Sequence, residues 1–308
     1  MLIKPDLRLS RVIRITWRVD LWMIALCTGA YLVETYVVRG SIHIPGSIPA
    51  LFGTALAFFI GFNNNQAYSR WWEARTVWGG LVNDSRSWTR NILTYTKATQ
   101  TATQPVQEIP AEDLALRMIR RNLSFLHALK STLRNTNSQD YQAYLNQADQ
   151  KALIHYTNIP AALLDLQSQD LQTLRDTSQI DGFTFLTLNE LLVRFCDSMG
   201  KCERIKNTVF PVTYLYFTRI FIWIMIAVLT MDIVEEAGIW SIGLGWLIGF
   251  VFHVTHLNGL SLMNPFDGNP ACVPLDSIVR TVEINVLQML KSSQIPSPIE
   301  AANGEYIL

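Results

Sequence analysis

The sequence predicts an all-α membrane protein with four transmembrane helices and a cytosolic helical bundle. Three observations predict it. Only 16% of the 308 residues are charged, against roughly 25% in ordinary soluble domains. Four apolar stretches, at residues 19–38, 47–69, 212–231 and 237–263, each reach about the 20 residues that a bilayer requires. The polar stretch between the second and third carries apolar stripes of helical period, and no strand-like alternation of useful length interrupts them. Lys and Arg together number 25, as do Asp and Glu, so no global field points to nucleic acid as a partner.

Residues 1–18 form a basic amphipathic lead. Lys4, Arg8, Arg11, Arg14 and Arg18 interleave with Leu7, Leu9, Val12, Ile13 and Ile15, and helical spacing makes this a surface helix at the cytoplasmic face. The first span follows with no small-residue cleavage site, which argues against a removable signal peptide. Asp20 and Glu34 fall near its ends, where headgroups or protein partners satisfy them. Two prolines and two glycines in residues 40–49 mark a short outer loop.

The second span continues into polar sequence without a turn signal and brings Arg70, Arg75, Arg86 and Arg90 after it. Basic flanks here and at the N-terminus place both on the cytoplasmic side. Within the cytosolic domain, residues 70–210, Leu116, Ile119, Leu123 and Leu126 make one amphipathic stripe. Residues 100–110, rich in Thr, Gln and Pro, form a loop. Pro160 opens a helix at its first turn. Leu188, Leu191, Phe195, Met199 and Cys202 form a further stripe. Asp232, Glu235 and Glu236 separate the third and fourth spans with no Lys or Arg nearby, which suits the outer face. Residues 264–308 then return to the cytoplasm, giving a multi-pass inner-membrane protein with both termini cytoplasmic. Cys27, Cys196, Cys202 and Cys272 show no metal or redox spacing and read as reduced thiols.

Residues 49–75 organise the rest. Thr54, Phe58 and Phe62 recur every four residues, which stacks them on one helix face. Gly53, Ala57 and Gly61 form a second stripe, with the small-xxx-small spacing that lets membrane helices approach closely. Asn63, Asn64, Asn65 and Gln66 follow, then Arg70, Trp71, Trp72, Glu73 and Arg75. Core packing is the ordinary fate of such an apolar stripe. Several copies around an axis would instead make a narrow apolar throat opening into an amide-lined vestibule, a constriction of the kind that gates ions by dewetting.

The run Asn64-Asn65-Gln66-Ala67-Tyr68, Arg70-Trp71-Trp72-Glu73-Ala74-Arg75, Trp78-Gly79 and Leu81-Val82-Asn83-Asp84-Ser85-Arg86 resembles the signature of bacterial bestrophin-family channels. Further matches lie at Glu203-Arg204-Ile205-Lys206-Asn207-Thr208, at Pro211 with Tyr214, and at Asn264-Pro265-Phe266, so the resemblance covers essentially the whole chain. It implies a homopentamer around one central pore, passive conduction and no cofactor. It assigns the neck to Thr54, Phe58 and Phe62, with Thr54 a departure from the larger apolar residue usual there; a hydroxyl at that level makes the neck wider and wetter. A second aperture, at the residue before a proline, falls on Phe210 ahead of Pro211.

Selectivity is less directly written. Phe edges favour anions and Phe faces favour cations, and amides can turn either NH₂ or C=O to an ion. Four arginines after the neck, with no acidic ring in it, favour chloride; a sodium-selective channel of the same fold is the alternative, and those arginines could instead pair with Glu73 and Asp84. One or two carboxylates after Asn264-Pro265-Phe266, Asp267 and then Asp276, are too few for a high-affinity calcium site, so calcium gating is not expected. His253 and His256 support a haem- or metal-binding membrane enzyme as a rival reading, although no carboxylate or Cys nearby completes a zinc set. A non-conducting membrane scaffold is the other rival. No nucleotide loop, nucleophile elbow or zinc-protease motif occurs. The partners expected are therefore permeant ions, membrane lipid and further copies of the chain.

Overall fold

The computed structural model describes residues 9–38, 45–98, 111–209, 211–301 and 306. The fold is all-helical. In chain order the helices are α1 (Leu9–Leu32), α2 (Ser47–Ala98), α3 (Ala111–Leu133), α4 (Gln147–Leu153), α5 (Ile159–Asp176), α6 (Gly182–Asn207), α7 (Val212–Asp232), α8 (Val234–Ala237), α9 (Trp240–Met263) and α10 (Leu275–Met289). A π-helical turn (Val33–Val38) extends α1, and a 3₁₀ turn (Asp140–Tyr144) follows α3. Four segments are long and apolar enough to cross a membrane: Val12–Val38, Ser47–Thr96, Thr213–Asp232 and Trp240–Met263.

The chain divides into two compact units. One takes in Lys4–Trp71 and Val209–Asn264, the other Trp72–Thr208 and Pro265–Leu308.

In the first, the membrane unit, the lead and first span are not separate elements as the sequence had them. α1 begins at Leu9 and runs past residue 18 without a break, because no Pro or Gly stands between Leu9 and Cys27 to end it. Glu34 is buried in the π turn. Met23 and Cys27 of α1, Leu56 and Ile60 of α2, and Ile222, Met225 and Ile226 of α7 form the core, with Phe52 packed edge-on against Phe221 at 5.9 Å. The buried face of α9 is small or polar: Ser241, Gly245, Gly249, His253, His256 and Gly259, ending at Met263. A Cβ on Gly245 would overlap Thr230 and crowd Cys27; one on Gly249 would overlap Ile226 and crowd Met23. Missing side chains thus let α9 seat against α1 and α7, the close approach that drives association where lipid offers no hydrophobic reward. At the other end Gly238, with φ +53°, turns the chain between α8 and α9. Gly46, just before α2, lies beside the Asp232 carboxylate, so the chain entering α2 and the end of α7 share one end of this unit.

In the second, polar unit, α3 packs against α5, α6 and α10. Its sequence-predicted stripe turns inward: Ile119, Leu123 and Leu126 are buried. Trp88, Phe125 and Phe195 interlock, with ring centroids 6.0 Å and 5.7 Å apart around Phe195. Every member of the α6 stripe, from Leu188 to Cys202, is buried. Asn158 caps α5 by accepting from the Ala161 amide at 3.2 Å, and Pro160 in the first turn removes a donor that needs no partner. Asp181 caps α6 through the Thr184 amide at 2.7 Å.

Candidate functional site

α2 carries 52 residues, about 78 Å at 1.5 Å per residue, and its two faces differ. One is buried throughout: Leu56, Ile60, Asn63 and Ala67 in the membrane unit, then Ala74, Trp78, Leu81, Ser85 and Trp88 in the polar unit. Thr54, Phe58 and Phe62 lie on the other face. Phe58 is 72% exposed and Phe62 49%. Large aromatics left this bare on one stripe are what a second copy, lipid or a lumen would contact, and they are not core packing within the protomer. Thr54 donates its hydroxyl to the Ala50 carbonyl at 2.8 Å, so what it presents outward is a methyl and an oxygen with a lone pair to spare.

The amide run divides. Four successive helical residues sweep a full turn and cannot share a face. Asn63 is 3% exposed, and its amide reaches the Thr218 hydroxyl of α7 at 3.4 Å. Asn64 donates to the Thr255 carbonyl of α9 at 3.0 Å. Asn65 and Gln66 are exposed on the side of Phe58 and Phe62. Asn63 and Asn64, expected with them in the vestibule lining, are thus tethers between helices.

Farther along, Tyr68 stacks on Trp71 at 6.0 Å while Trp72 remains largely exposed. Arg70 and Arg75 are half-buried. Glu73 pairs with Arg204 of α6, and Asp84 with Arg194 of the same helix at 3.6 Å. The arginines of α2 therefore do not hold these two carboxylates; Arg86 instead donates to the Asn285 side chain at 2.8 Å. Pro211 is exposed and precedes α7. Phe210 lies outside the described residues.

The segment after the fourth span is closed on itself: the Val273 amide donates to the Pro265 carbonyl at 2.9 Å. Asp276, the second carboxylate there, is taken by Lys130 at 2.9 Å and by Arg134. Burial pushes its carboxyl up, but the hydrogen bonds from these two cations outweigh burial and bring it below the usual range. His253 and His256 are buried on the packing face of α9. Among the described residues no group of three His, Cys, Asp or Glu is placed to hold a metal ion.

Sequence reasoning missed two polar clusters. Arg121 is buried between Asp149 of α4 and Asp170 of α5, with contacts of 2.7 Å to each, while Arg117 forks onto the same Asp170. Nothing in the dipeptide Arg120-Arg121 reveals which arginine turns inward. Nearby, His127 stacks on Tyr144 at 5.5 Å and faces Glu283 at 4.0 Å in the wall of a cavity of about 420 Å³. Burial, reinforced by Lys130, holds its imidazole down at about 4. Glu283 also accepts from the Tyr144 hydroxyl; burial and this bond push the phenol well up.

Fold and exposed aromatic stripe together define a multi-pass helical membrane protein built along one long helix. The chain belongs to the bacterial/fungal bestrophin family, whose model matches residues 6–288. It is similar to the voltage-dependent anion channel-forming protein YneE of Escherichia coli K12, 28% identical over 251 residues that cover 81% of this chain and 78% of that one. It is 26% identical to the voltage-dependent anion channel-forming protein RSc3414 of Ralstonia nicotianae, covering 100% of both chains. The crystal structure of a bacterial bestrophin homologue from Klebsiella pneumoniae shares the fold at a TM-score of 0.79 and 22% identity, covering 89% of this chain and 98% of that one. These curated relatives are named as channel-forming proteins, not as enzymes.

Proposed function

We propose that this protein is a passive anion channel of the bacterial inner membrane, formed by five copies around a shared axis, with both termini cytoplasmic. Thr54, Phe58 and Phe62 make its neck. The observation that carries the reading is the bare aromatic stripe of α2: Phe58 and Phe62 project from the face opposite the packed one, on the same side as Asn65 and Gln66, and a mixed aromatic and amide face suits a lumen between copies better than lipid. Asn65 and Gln66 line the vestibule beyond, and Phe210 forms a second aperture. Dehydration is concentrated at these rings, and gating follows from wetting and drying of the neck. Chloride as the permeant ion is supported by the anion-channel names of the relatives and by the absence of an acidic side chain on α2 between Ser47 and Trp72. The acidic turn at Asp232, Glu235 and Glu236 supports an outer position for that end of the membrane unit. Calcium does not gate it, in keeping with the commitment of Asp276 to Lys130 and Arg134.

The test is the reversal potential of purified protein in planar bilayers under asymmetric potassium chloride. A value near the chloride equilibrium potential supports the reading. A value near that of the cation replaces it with the sodium-type alternative, and no current in any salt leaves the scaffold reading in its place.

A further inference from the structure

The start of α1 carries a surface that conduction does not use. Arg14, Arg18 and Trp22 stand at i, i+4 and i+8 on one stripe, with Trp17 and Leu21 beside them. All five are exposed. The Arg18 guanidinium lies 5.3 Å from the centre of the Trp17 ring, a cation–π contact that fixes its direction. Among the described residues neither Arg14 nor Arg18 has an ion pair. The nearest acid on the helix, Asp20, is engaged by the Thr16 hydroxyl at 2.6 Å.

Depth identifies what these arginines meet. The span Val12–Val38 has 27 residues, about 40 Å of helix, which matches a whole bilayer with its headgroup layers. Counting back from Val38, about 20 residues fill the hydrocarbon core and put its edge at Val19. Arg18 and Arg14 then lie about 1.5 and about 7.5 Å beyond that edge, at the level of lipid phosphates. Trp22 and Leu21 lie just inside it, where acyl chains begin.

We infer that Arg14, Arg18 and Trp22 form a binding site for an anionic phospholipid. The two guanidinium groups fork onto the phosphate, and the first acyl methylenes lie along Trp22 and Leu21. A choline headgroup brings its own cation to the same two arginines and is disfavoured. Free phosphate lacks the apolar part that half of the stripe is built to cover. The site rests on the membrane-spanning reading of α1 and not on the identity of the permeant ion.

The experiment uses the full chain in a neutral detergent. Its thermal midpoint is followed during titration with short-chain phosphatidylglycerol, phosphatidylcholine of the same chains, or inorganic phosphate. Phosphatidylglycerol raises the midpoint saturably, as a ligand of the folded state does, and the other two do not. Arg14→Gln with Arg18→Gln weakens phosphatidylglycerol binding by about thirtyfold, the factor carried by two basic residues near an anionic surface. Arg14→Lys with Arg18→Lys, which keeps the charge and loses the fork, weakens it less. Arg90→Gln, an exposed arginine on α2, changes nothing. Equal stabilisation by phosphatidylcholine or phosphate overturns the site, as does wild-type affinity in the double Gln variant, which is the result if a second copy covers this face. Binding is read without ion flux, so its failure and a failure of conduction are told apart.

Discussion

Asn64 and Gly259 meet where α2 crosses α9: the amide side chain fills the space that a Cβ on residue 259 would occupy. The same amide donates to the Thr255 carbonyl one turn earlier on α9 at 3.0 Å. One residue without a side chain therefore allows another to fasten α2 to α9.

Gly259→Leu forces that contact apart. Overpacking of this kind costs about 1–3 kcal/mol, to be read as a lower thermal midpoint of the protein in detergent. Gly243→Leu on the same helix, where a Cβ meets open space, does not lower the midpoint, since a helix-interior glycine is itself the less favourable residue. Equal midpoints for both variants would remove the close approach from the account.

If Thr54, Phe58 and Phe62 form the neck as proposed, Phe58→Ala with Phe62→Ala removes both rings and lets water persist. Single-channel conductance rises, by at least roughly twofold, and closures become rarer. Thr54→Leu acts in the opposite sense by restoring an apolar side chain at the outer level. Unchanged unitary currents in planar bilayers for both variants count against these three residues as the narrow point.

Arg121→Ala leaves Asp149 and Asp170 without their shared cation in a buried setting. Breaking such a pair costs about 3–5 kcal/mol, whereas exchanging an exposed arginine, such as Arg90→Ala, costs little. Chemical unfolding of the full chain compares the two; similar losses would mean that the buried charges are hydrated.

His127 couples stability to acid. Its folded pKa is held down at about 4, against 6.5 when unfolded. Between these values the unfolded chain binds the extra proton, so the contribution is complete above 6.5 and is lost as pH falls toward 4. The loss is of order 3 kcal/mol. His127→Gln does not show it. Thermal midpoints of the two proteins should run parallel above pH 6.5 and diverge below it; parallel behaviour down to pH 4 would contradict a neutral buried imidazole.

Hydropathy and period made most of the architecture readable in advance. Leu188 to Cys202 form a buried stripe because five apolar residues at helical spacing leave an amphipathic helix one way to turn. Pro160 marks a helix start because the donor it lacks needs no partner there. Boundaries read less well. The basic lead looked separable from the first span because charge density changes near Arg18, yet backbone continuity follows from the absence of Pro and Gly, and α1 runs straight through. Asn63 to Gln66 have nearly the same chemistry, so only their angular position against α7 and α9 distinguishes a tether from a lining residue. Arg121 was invisible for a related reason: a long side chain on an amphipathic helix can face either way, and two aspartates distant in sequence decide it.

The packing face of α9 also bears on how the molecule is made. α9 leaves the ribosome after α1 and α7, and it brings grooves where they bring ridges. Met23, Cys27, Ile226 and Thr230 belong to segments synthesised earlier, which can wait in lipid with their side chains already in place. Because the side-chain-free positions sit on the later helix, its seating asks for no side chain of its own to be accommodated at Gly245 or Gly249.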